Sequence, residues 1–290
     1  MTSASIIKNP SNLRSRKIIN SVMLTMCIVA AVITIIPLLY IFFYTTQSGI
    51  SSLNVDFFTQ LPKPVGEEGG GMANAIVGSA ILIGIGALIG IPVGILSGIY
   101  ISEYSKTFVS TIVKFITDVL SGVPSIIVGI FAYGVIVIPM QRFSALAGGF
   151  ALGILMIPTI TKITEEMLKL VPQSLREASL ALGVSRWKTT LKIVLKTASS
   201  GIVTGVLLAI ARAAGETAPL LFTSFGNSFW QTSLDEPMAA LPLQIFVYAI
   251  SPYDDWHRQA WAGAFVLIFL VFVVNLLVRI VTRNKFSGNL

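Results

Sequence analysis

The stretch that decides the fold is residues 69–102, GGGMANAIVGSAILIGIGALIGIPVGILSGIYIS, which contains no charged side chain. A helix needs about 20 mostly apolar residues to cross the hydrocarbon core of a bilayer, so this stretch is long enough for one crossing. Every fourth residue along part of it is a glycine: Gly86, Gly90, Gly94 and Gly98. These glycines fall on one side of a helix, where small residues let two backbones approach closely in lipid. The stretch therefore predicts a membrane helix that packs through its glycine side.

The whole chain has the composition of an integral membrane protein. Of its 290 residues 11% are charged and 54% are hydrophobic, and the mean hydropathy is +0.83. A soluble domain carries about 25% charged residues. Strands of a membrane barrel would alternate apolar and polar residues over about ten positions, whereas the runs here are continuously apolar. We therefore predict an all-α integral membrane protein.

Six apolar runs predict six transmembrane helices. Five runs carry no charge, and the sixth is interrupted only by Arg212 and Glu216. The predicted spans are 19–46, 72–101, 117–139, 143–161, 198–223 and 260–280. We expect Pro92 and Pro124 to kink their helices. Segment 237–253 is uncharged but holds three prolines, so we predict a re-entrant or surface-lying segment there and not a seventh crossing.

The small-residue pattern of the second helix recurs in the fifth, at Gly201, Gly205, Ala209 and Ala213. Here too we predict close helix packing and no role in ligand binding. The first apolar run follows three basic residues, as in a secretory signal. That run is too long for a signal peptide, so we expect a retained first helix.

The basic residues predict the orientation, because Lys and Arg concentrate in cytoplasmic loops. With the amino terminus inside, 16 of the 20 Lys and Arg residues fall in cytoplasmic segments. Both termini are therefore expected in the cytoplasm, and the net charge of +7 needs no nucleic-acid partner. The predicted organisation is a cytoplasmic tail (1–17), a first transmembrane helix (18–46), an extracytoplasmic loop (47–71), a transmembrane domain with five helices (72–280) and a second cytoplasmic tail (281–290).

Residue types that carry catalysis or bind metals are scarce. His257 is the only histidine, Cys27 is the only cysteine, and no Gly-x-x-x-x-Gly-Lys-Ser/Thr phosphate loop occurs. The sequence therefore predicts no catalytic site, no metal site and no cofactor in this chain, which disfavours an intramembrane enzyme. If transport through this chain is driven by ATP, the ATPase is another subunit.

The long cytoplasmic loop 162–196 is predicted to form two short helices. Residues 174–177, Ser-Leu-Arg-Glu, match a capping box for the first helix, Gly183 breaks it, and Ser185 can cap the second. The second helix combines an apolar stripe with basic neighbours; the stripe is Trp187, Leu191, Val194 and Leu195. Such a pair of helices predicts a docking element for a partner protein or, alternatively, a basic helix on the headgroups of membrane lipid.

The spacing in this loop resembles the EAA loop of ABC importer permeases. The residues that match this motif are 177–179 (Glu-Ala-Ser), Gly183 and 193–195 (Ile-Val-Leu). In that family the loop supplies the coupling helix that docks on the ATP-binding subunit. The resemblance implies this role for Glu177, Ala178, Gly183, Ile193 and Leu195, although Glu177 could instead serve only as a capping residue. Ser179 stands where a second alanine is usual, and Lys196 stands where proline is usual.

The resemblance covers about residues 70–283 and is most specific toward the permeases of phosphate importers. Its most diagnostic stretch is residues 211–223, ARAAGETAPLLFT. It implies a type I ABC importer permease fold with six transmembrane helices, in a prokaryotic cytoplasmic (inner) membrane. It also implies three partners: a second phosphate permease subunit (PstC-like), an ATP-binding subunit dimer (PstB-like) and an extracytoplasmic phosphate-binding protein (PstS-like).

Arg212 and Glu216 are the candidate residues of the translocation path. A charge in mid-membrane costs about 2.5–3.5 kcal/mol on insertion scales, so such residues usually face a cavity or a partner. Residues four apart can pair on one side of a helix, and the planar guanidinium of arginine suits phosphate oxygens. The alternative interpretation is a structural Arg–Glu pair that locks two helices.

The predicted function is that of a permease subunit in an ATP-driven phosphate importer. One alternative is a permease for another oxoanion, such as sulfate or molybdate. The other is a non-ABC secondary transporter, which is expected to show internal repeats. The sequence contains no clear repeat of that kind.

Overall fold

The computed structural model describes residues 10–67 and 69–286. Within these residues the chain is almost entirely helical, and the extended pairing is limited to one isolated bridge between Phe225 and Met238. Helices satisfy every backbone hydrogen bond within the segment, as a bilayer requires. The predicted all-α membrane class is therefore confirmed.

Nine helices of this described part are numbered here: α1 (Pro10–Gly49), α2 (Ala73–Glu103), α3 (Phe108–Gly122), α4 (Ser125–Met140), α5 (Ala145–Lys169), α6 (Gln173–Ala181), α7 (Arg186–Ala214), α8 (Leu241–Ala249) and α9 (Asp254–Phe286). Helices α4 and α7 each contain a π-helical segment, Tyr133–Val137 and Thr190–Val194. Shorter helical turns lie at Ile50–Ser52, Val55–Thr59 and Ala218–Leu221.

Helix α1 belongs to a compact unit of its own, which ends at Ser48. The helix contains the whole predicted first span, 19–46. Its 40 residues correspond to about 60 Å at 1.5 Å per residue. Because the hydrocarbon core is about 30 Å thick, only part of α1 can lie in it.

Helices α2 and α5 pack together at the centre of the second unit, which begins at Gly49. The glycine side of α2 lies against α5: an ideal Cβ on Gly86, Gly90, Gly94 or Gly98 would lie 3.0, 2.9, 2.7 or 2.6 Å from a Cβ atom of α5. The partners follow in the same order, as Leu152, Met156, Ile160 and Thr164. Residue numbers rise together along both helices, so α2 and α5 run in the same direction. Two crossings separated by one other crossing must do so.

The predicted third span, 117–139, is broken. The chain bends by 108° between α3 and α4, and Val123, directly before Pro124, is extended (φ −72°, ψ 128°). Proline lacks an N–H donor and disfavours a helical conformation in the residue before it. The described part thus holds five helices long enough to cross a membrane, or six if α3 and α4 form one broken span. Helix α2, in contrast, continues through Pro92.

Helix α5 continues to Lys169, eight residues beyond the predicted end of its membrane span at 161, so the first part of the predicted cytoplasmic loop 162–196 is helical. The added turns are stabilised by packing, since Ile163 and Met167 lie against α7, and by a pair of Lys169 with Glu165. Helix α7 begins earlier and ends earlier than the predicted span 198–223.

Segment 237–253 contains helix α8. Its nine residues reach about 13 Å, which is too short to cross a membrane. The helix packs on α9, where the rings of Tyr248 and Trp256 stack at 4.4 Å.

Candidate functional site

The loop between α5 and α7 is a short helix, α6, followed by a tight turn at Gly183. Gly183 has φ +76°, a conformation that residues with a Cβ rarely adopt. Two bonds close the turn: Gly183 N–H donates to Leu180 O at 2.9 Å, and Val184 N–H donates to Ser179 O at 3.2 Å. The glycine therefore sets the angle between the two arms of the loop, α6 and the start of α7.

The predicted capping box is wrong. Helix α6 begins at Gln173 with Pro172 in the N-cap position, which places Ser174 inside the first turn. Leu175 N–H donates to Pro172 O, so the fixed backbone of the proline starts the helix. Ser185 does occupy the N-cap of α7, but its side chain accepts no capping bond. This removes the capping interpretation of Glu177.

The structure separates the five predicted coupling residues into two groups. Glu177, Ala178 and Gly183 are exposed on α6 and the turn. Ile193 and Leu195 are half-buried on α7, where Leu195 packs against the buried cluster Leu168, Val171, Val194, Ala198 and Ile202. Only the first group is available to a partner that approaches the tip of the loop.

Exposed apolar side chains surround this first group. Leu182 is 83% exposed and Trp187 is 59% exposed. The sequence stripe contained Trp187, but Leu182 was missed; its position directly before the turn glycine is the signal that could have identified it. Exposed apolar residues beside a polar loop are typical of a protein-binding surface.

Ser179, the departure from the usual EAA pattern, is buried and forms a hydrogen bond with Thr189. The two hydroxyl oxygens are 2.8 Å apart, across the two arms of the loop. Buried hydroxyl groups need such partners. The serine is thus matched by a threonine ten residues later, and this pairing was not predicted.

Arg212 and Glu216 do form an ion pair, with 3.7 Å between Arg212 Nε and Glu216 Oε1. They do not share a helix surface, however, because α7 ends at Ala214 and Glu216 follows the break. Pro219, which lacks an N–H donor, is the second residue of the short helical turn that follows. The side chain of Arg212 is 57% exposed and that of Glu216 is 17% exposed.

The break in α7 lies near the middle of the helix bundle. Gly201 lies against Met167 and Gly205 lies against Ile163, so α7 runs antiparallel to α5. The same register, carried seven residues further, puts Arg212 level with Met156 at the centre of α5. Met156 shares a buried cluster with Ala209 and Ala213 of α7, which agrees with this register.

The break between α3 and α4 lies at a similar depth. Lys114 pairs with Glu165 at 3.6 Å and Asp118 pairs with Lys162 at 2.9 Å, so α3 also runs antiparallel to α5. One turn further, Gly122 is about level with residue 158. Beyond the break, α4 contacts the short turn after α7: an ideal Cβ on Gly129 would lie 2.6 Å from Pro219 Cα.

The two helix breaks and the exposed arginine thus lie at a similar depth, near the middle of the bundle. Non-helical backbone in a membrane is tolerated only where protein buries it or where it lines a water-filled cavity. A cation in hydrocarbon is costly, so this side of α7 must face water or another subunit. A guanidinium exposed at this depth has the charge and the N–H donors that an anion requires.

At the end of α5 opposite the loop, residues 223–236 satisfy the first N–H groups of that helix. Ala145 N–H donates to Glu236 O and Leu146 N–H donates to Leu234 O, both at 3.0 Å. Asp235 of this segment pairs with Arg142, which precedes α5, at 2.7 Å. A hydrogen bond from Ser233 and the charge of Arg142 lower the pKa of Asp235.

Comparison with known families decides what this arrangement belongs to. Residues 90–286 match the family described as "Binding-protein-dependent transport system inner membrane component". The chain belongs to this family. Its members are transport subunits, so the chain is a transport subunit and not an enzyme.

Similar proteins cover nearly the whole chain. The chain is 45% identical to the phosphate transport system permease protein PstA of Yersinia pestis over 86% of its own length and 84% of the relative. It is 43% identical to the protein of the same name from Haemophilus influenzae, over 96% of its length and 100% of the relative.

Solved structures show the same fold at lower identity. The MetNI methionine ABC transporter in an inward-facing conformation aligns with a TM-score of 0.58 and 18% identity, over 73% of this chain and 96% of that one. The predicted type I ABC importer permease fold is confirmed by this match together with the family.

Proposed function

We propose that the chain is the membrane permease subunit of an ATP-driven phosphate importer. The observation that carries this proposal is the 43–45% identity, over most of both chains, to relatives named as phosphate transport permeases. The geometry agrees with it. One end of the bundle presents an exposed loop, and an exposed arginine lies near the end of α7, at a depth similar to that of the break between α3 and α4.

The complex that we propose contains four kinds of subunit. A PstC-like second permease completes the translocation path, because this chain leaves Arg212 exposed on one side. A PstB-like ATP-binding dimer hydrolyses ATP, since this sequence has no phosphate loop. A PstS-like extracytoplasmic protein selects phosphate and delivers it; the family description, which names binding-protein-dependent transport, supports the presence of a binding protein.

The proposed location is the prokaryotic cytoplasmic (inner) membrane, with both termini in the cytoplasm. Lys and Arg are concentrated at the end of the bundle that carries the loop. The directions of α2, α5 and α7 support this topology, because the first two are parallel and the third is antiparallel to them.

In the proposed transport cycle the coupling residues of the loop contact the ATP-binding dimer. Binding of ATP changes the position of the loop and closes the bundle on one side while it opens on the other. Phosphate released into the bundle meets the guanidinium of Arg212, whose charge persists at physiological pH. Glu216 holds that guanidinium in place until the anion competes for it.

Uptake measurements with competing anions test this function. Cells that express the chain with its three proposed partners should accumulate radiolabelled phosphate, and a saturating excess of unlabelled phosphate should suppress the signal. The same excess of sulfate or molybdate should have no effect. Equal competition by sulfate would favour the general oxoanion permease, and accumulation without the ATP-binding subunit would favour a secondary transporter.

A further inference from the structure

Both arms of the loop are attached to one residue, Glu103, at the end of α2. Arg176 of α6 forms an ion pair with the Glu103 carboxylate. Arg186, the first residue of α7, donates from Nη2 to Glu103 O at 2.6 Å. The guanidinium of Arg186 also lies 5.1 Å from the ring centre of Tyr104. The two arginines stand on opposite sides of the turn at Gly183, so the loop is held at two points.

Arg176 ties the loop to α5 as well. Its Nη2 donates to Leu168 O at 2.9 Å, near the carboxyl end of α5. Leu168 O also accepts from Val171 N–H at 3.3 Å. The last carbonyls of a helix carry partial negative charge, so they favour a cation at this position. One guanidinium therefore binds the ends of two membrane helices at once.

The pair of Glu103 with Arg176 is shielded from water. The side chain of Glu103 is 7% exposed and that of Arg176 is 16% exposed. Charge-assisted hydrogen bonds are strong where water is excluded, and removal of one partner strands the other. The exposed pair of Arg258 with Asp255, in contrast, has 52% and 24% exposure and is screened by solvent.

Helices α2 and α5 form a rigid pair, because the side of α2 that carries Gly86, Gly90, Gly94 and Gly98 packs so closely on α5 that neither helix has space to move against the other. A movement of the loop that is passed to Glu103 and Leu168 must therefore move both helices together. We propose that Glu103 is the positioning residue that transmits loop movement to the α2–α5 pair. This inference rests on the proposed docking of the loop on an ATPase.

The test compares Glu103→Gln with Lys106→Gln in the complete transporter reconstituted in vesicles with ATP. Lys106 is an exposed cation three residues after Glu103 that lies outside both arms of the loop, and it serves as the matched control. Glutamine keeps an acceptor for Arg176 but loses the charge, so we expect the Glu103→Gln variant to assemble with the ATPase. We expect at least tenfold less phosphate transported per ATP hydrolysed, whereas Lys106→Gln should keep the wild-type ratio.

Two further variants separate coupling from folding. Glu103→Asp keeps the charge and should recover a large part of the ratio. A cysteine pair at positions 103 and 176 in a Cys27→Ser background should recover it when a bifunctional maleimide joins the two thiols, even if Glu103→Gln does not assemble. A wild-type ratio in assembled Glu103→Gln, or no recovery on cross-linking, would overturn the inference. Loss of ATPase binding in the unmodified protein would instead refute the docking on which it rests.

Discussion

Gly98→Ala should destabilise the protein because α2 and α5 have no space for a methyl group at that position. The new Cβ would lie 2.6 Å from Thr164 Cβ and 2.8 Å from the backbone oxygen of Thr161. Carbon atoms at optimal contact are about 3.5–4.0 Å apart, so α5 must move away from α2 by about 1 Å. Overpacking of this kind typically costs about 1–3 kcal/mol.

Gly84→Ala is the matched control on the same helix. Among the residues that the structure describes, no atom other than those of the chain neighbours and of the backbone of α2 lies within 4 Å of an ideal Cβ at Gly84. Alanine gains up to about 1 kcal/mol over glycine in a helix interior, and both variants share this gain. The difference between them therefore isolates the packing cost, and Gly98→Ala should be about 1–3 kcal/mol less stable than Gly84→Ala.

Thermal unfolding of the purified transporter in detergent measures this difference. For large domains 1 kcal/mol corresponds to about 2–4 °C in Tm, so Gly98→Ala should melt at least about 2 °C below Gly84→Ala. Equal melting temperatures would show that the α2–α5 contact is looser than the structure has it. In that case the rigid pair on which the role of Glu103 depends would also be refuted.

Other regions of the site give three further predictions. The Gly183→Asp variant should insert into the membrane normally, but it should lose uptake and bind the ATPase weakly, because the φ of +76° at this position disfavours a side chain. Normal uptake by a complex from which the ATPase still co-purifies would refute the role of this loop in coupling. Ser179→Ala should cost about 1–3 kcal/mol by stranding the Thr189 hydroxyl, and adding Thr189→Val should restore the Tm; no difference between single and double variants would count against this bond. Arg212→Gln should abolish phosphate uptake in an assembled complex, and the exchange Arg212→Glu with Glu216→Arg should not restore it; rescue by the exchange would mean that the pair is only structural.

The sequence predicts the helices well because the bilayer imposes a strong constraint. Runs without charge must form helices, and glycines every four residues must face another helix, as Gly86 to Gly98 do. Helix ends are less constrained. Helix α5 continues to Lys169 because an amphipathic helix can extend beyond the hydrocarbon core. The positions of charged residues mark the end of an apolar run, but they do not predict where the helix itself ends.

The candidate site was predictable only where it is local in sequence. The turn at Gly183 follows from spacing. The pairing of Arg212 with Glu216 was also predicted, but on one continuous helix surface, whereas α7 ends at Ala214, between the two residues. The bond between Glu103 and Arg176 joins residues 73 positions apart, and nothing in either segment identifies the other. Pro124 signals a break, but the 108° angle depends on packing that the sequence does not display.

Phosphate transport by the purified complex is the most direct test of the central claim. Vesicles that contain this chain, the second permease and the ATP-binding dimer should accumulate phosphate only when the binding protein is outside and ATP is inside. Omission of this chain, of ATP or of the ATP-binding dimer should each reduce accumulation to the background of empty vesicles. Phosphate accumulation that persists without the ATP-binding dimer, or without this chain, would contradict the account.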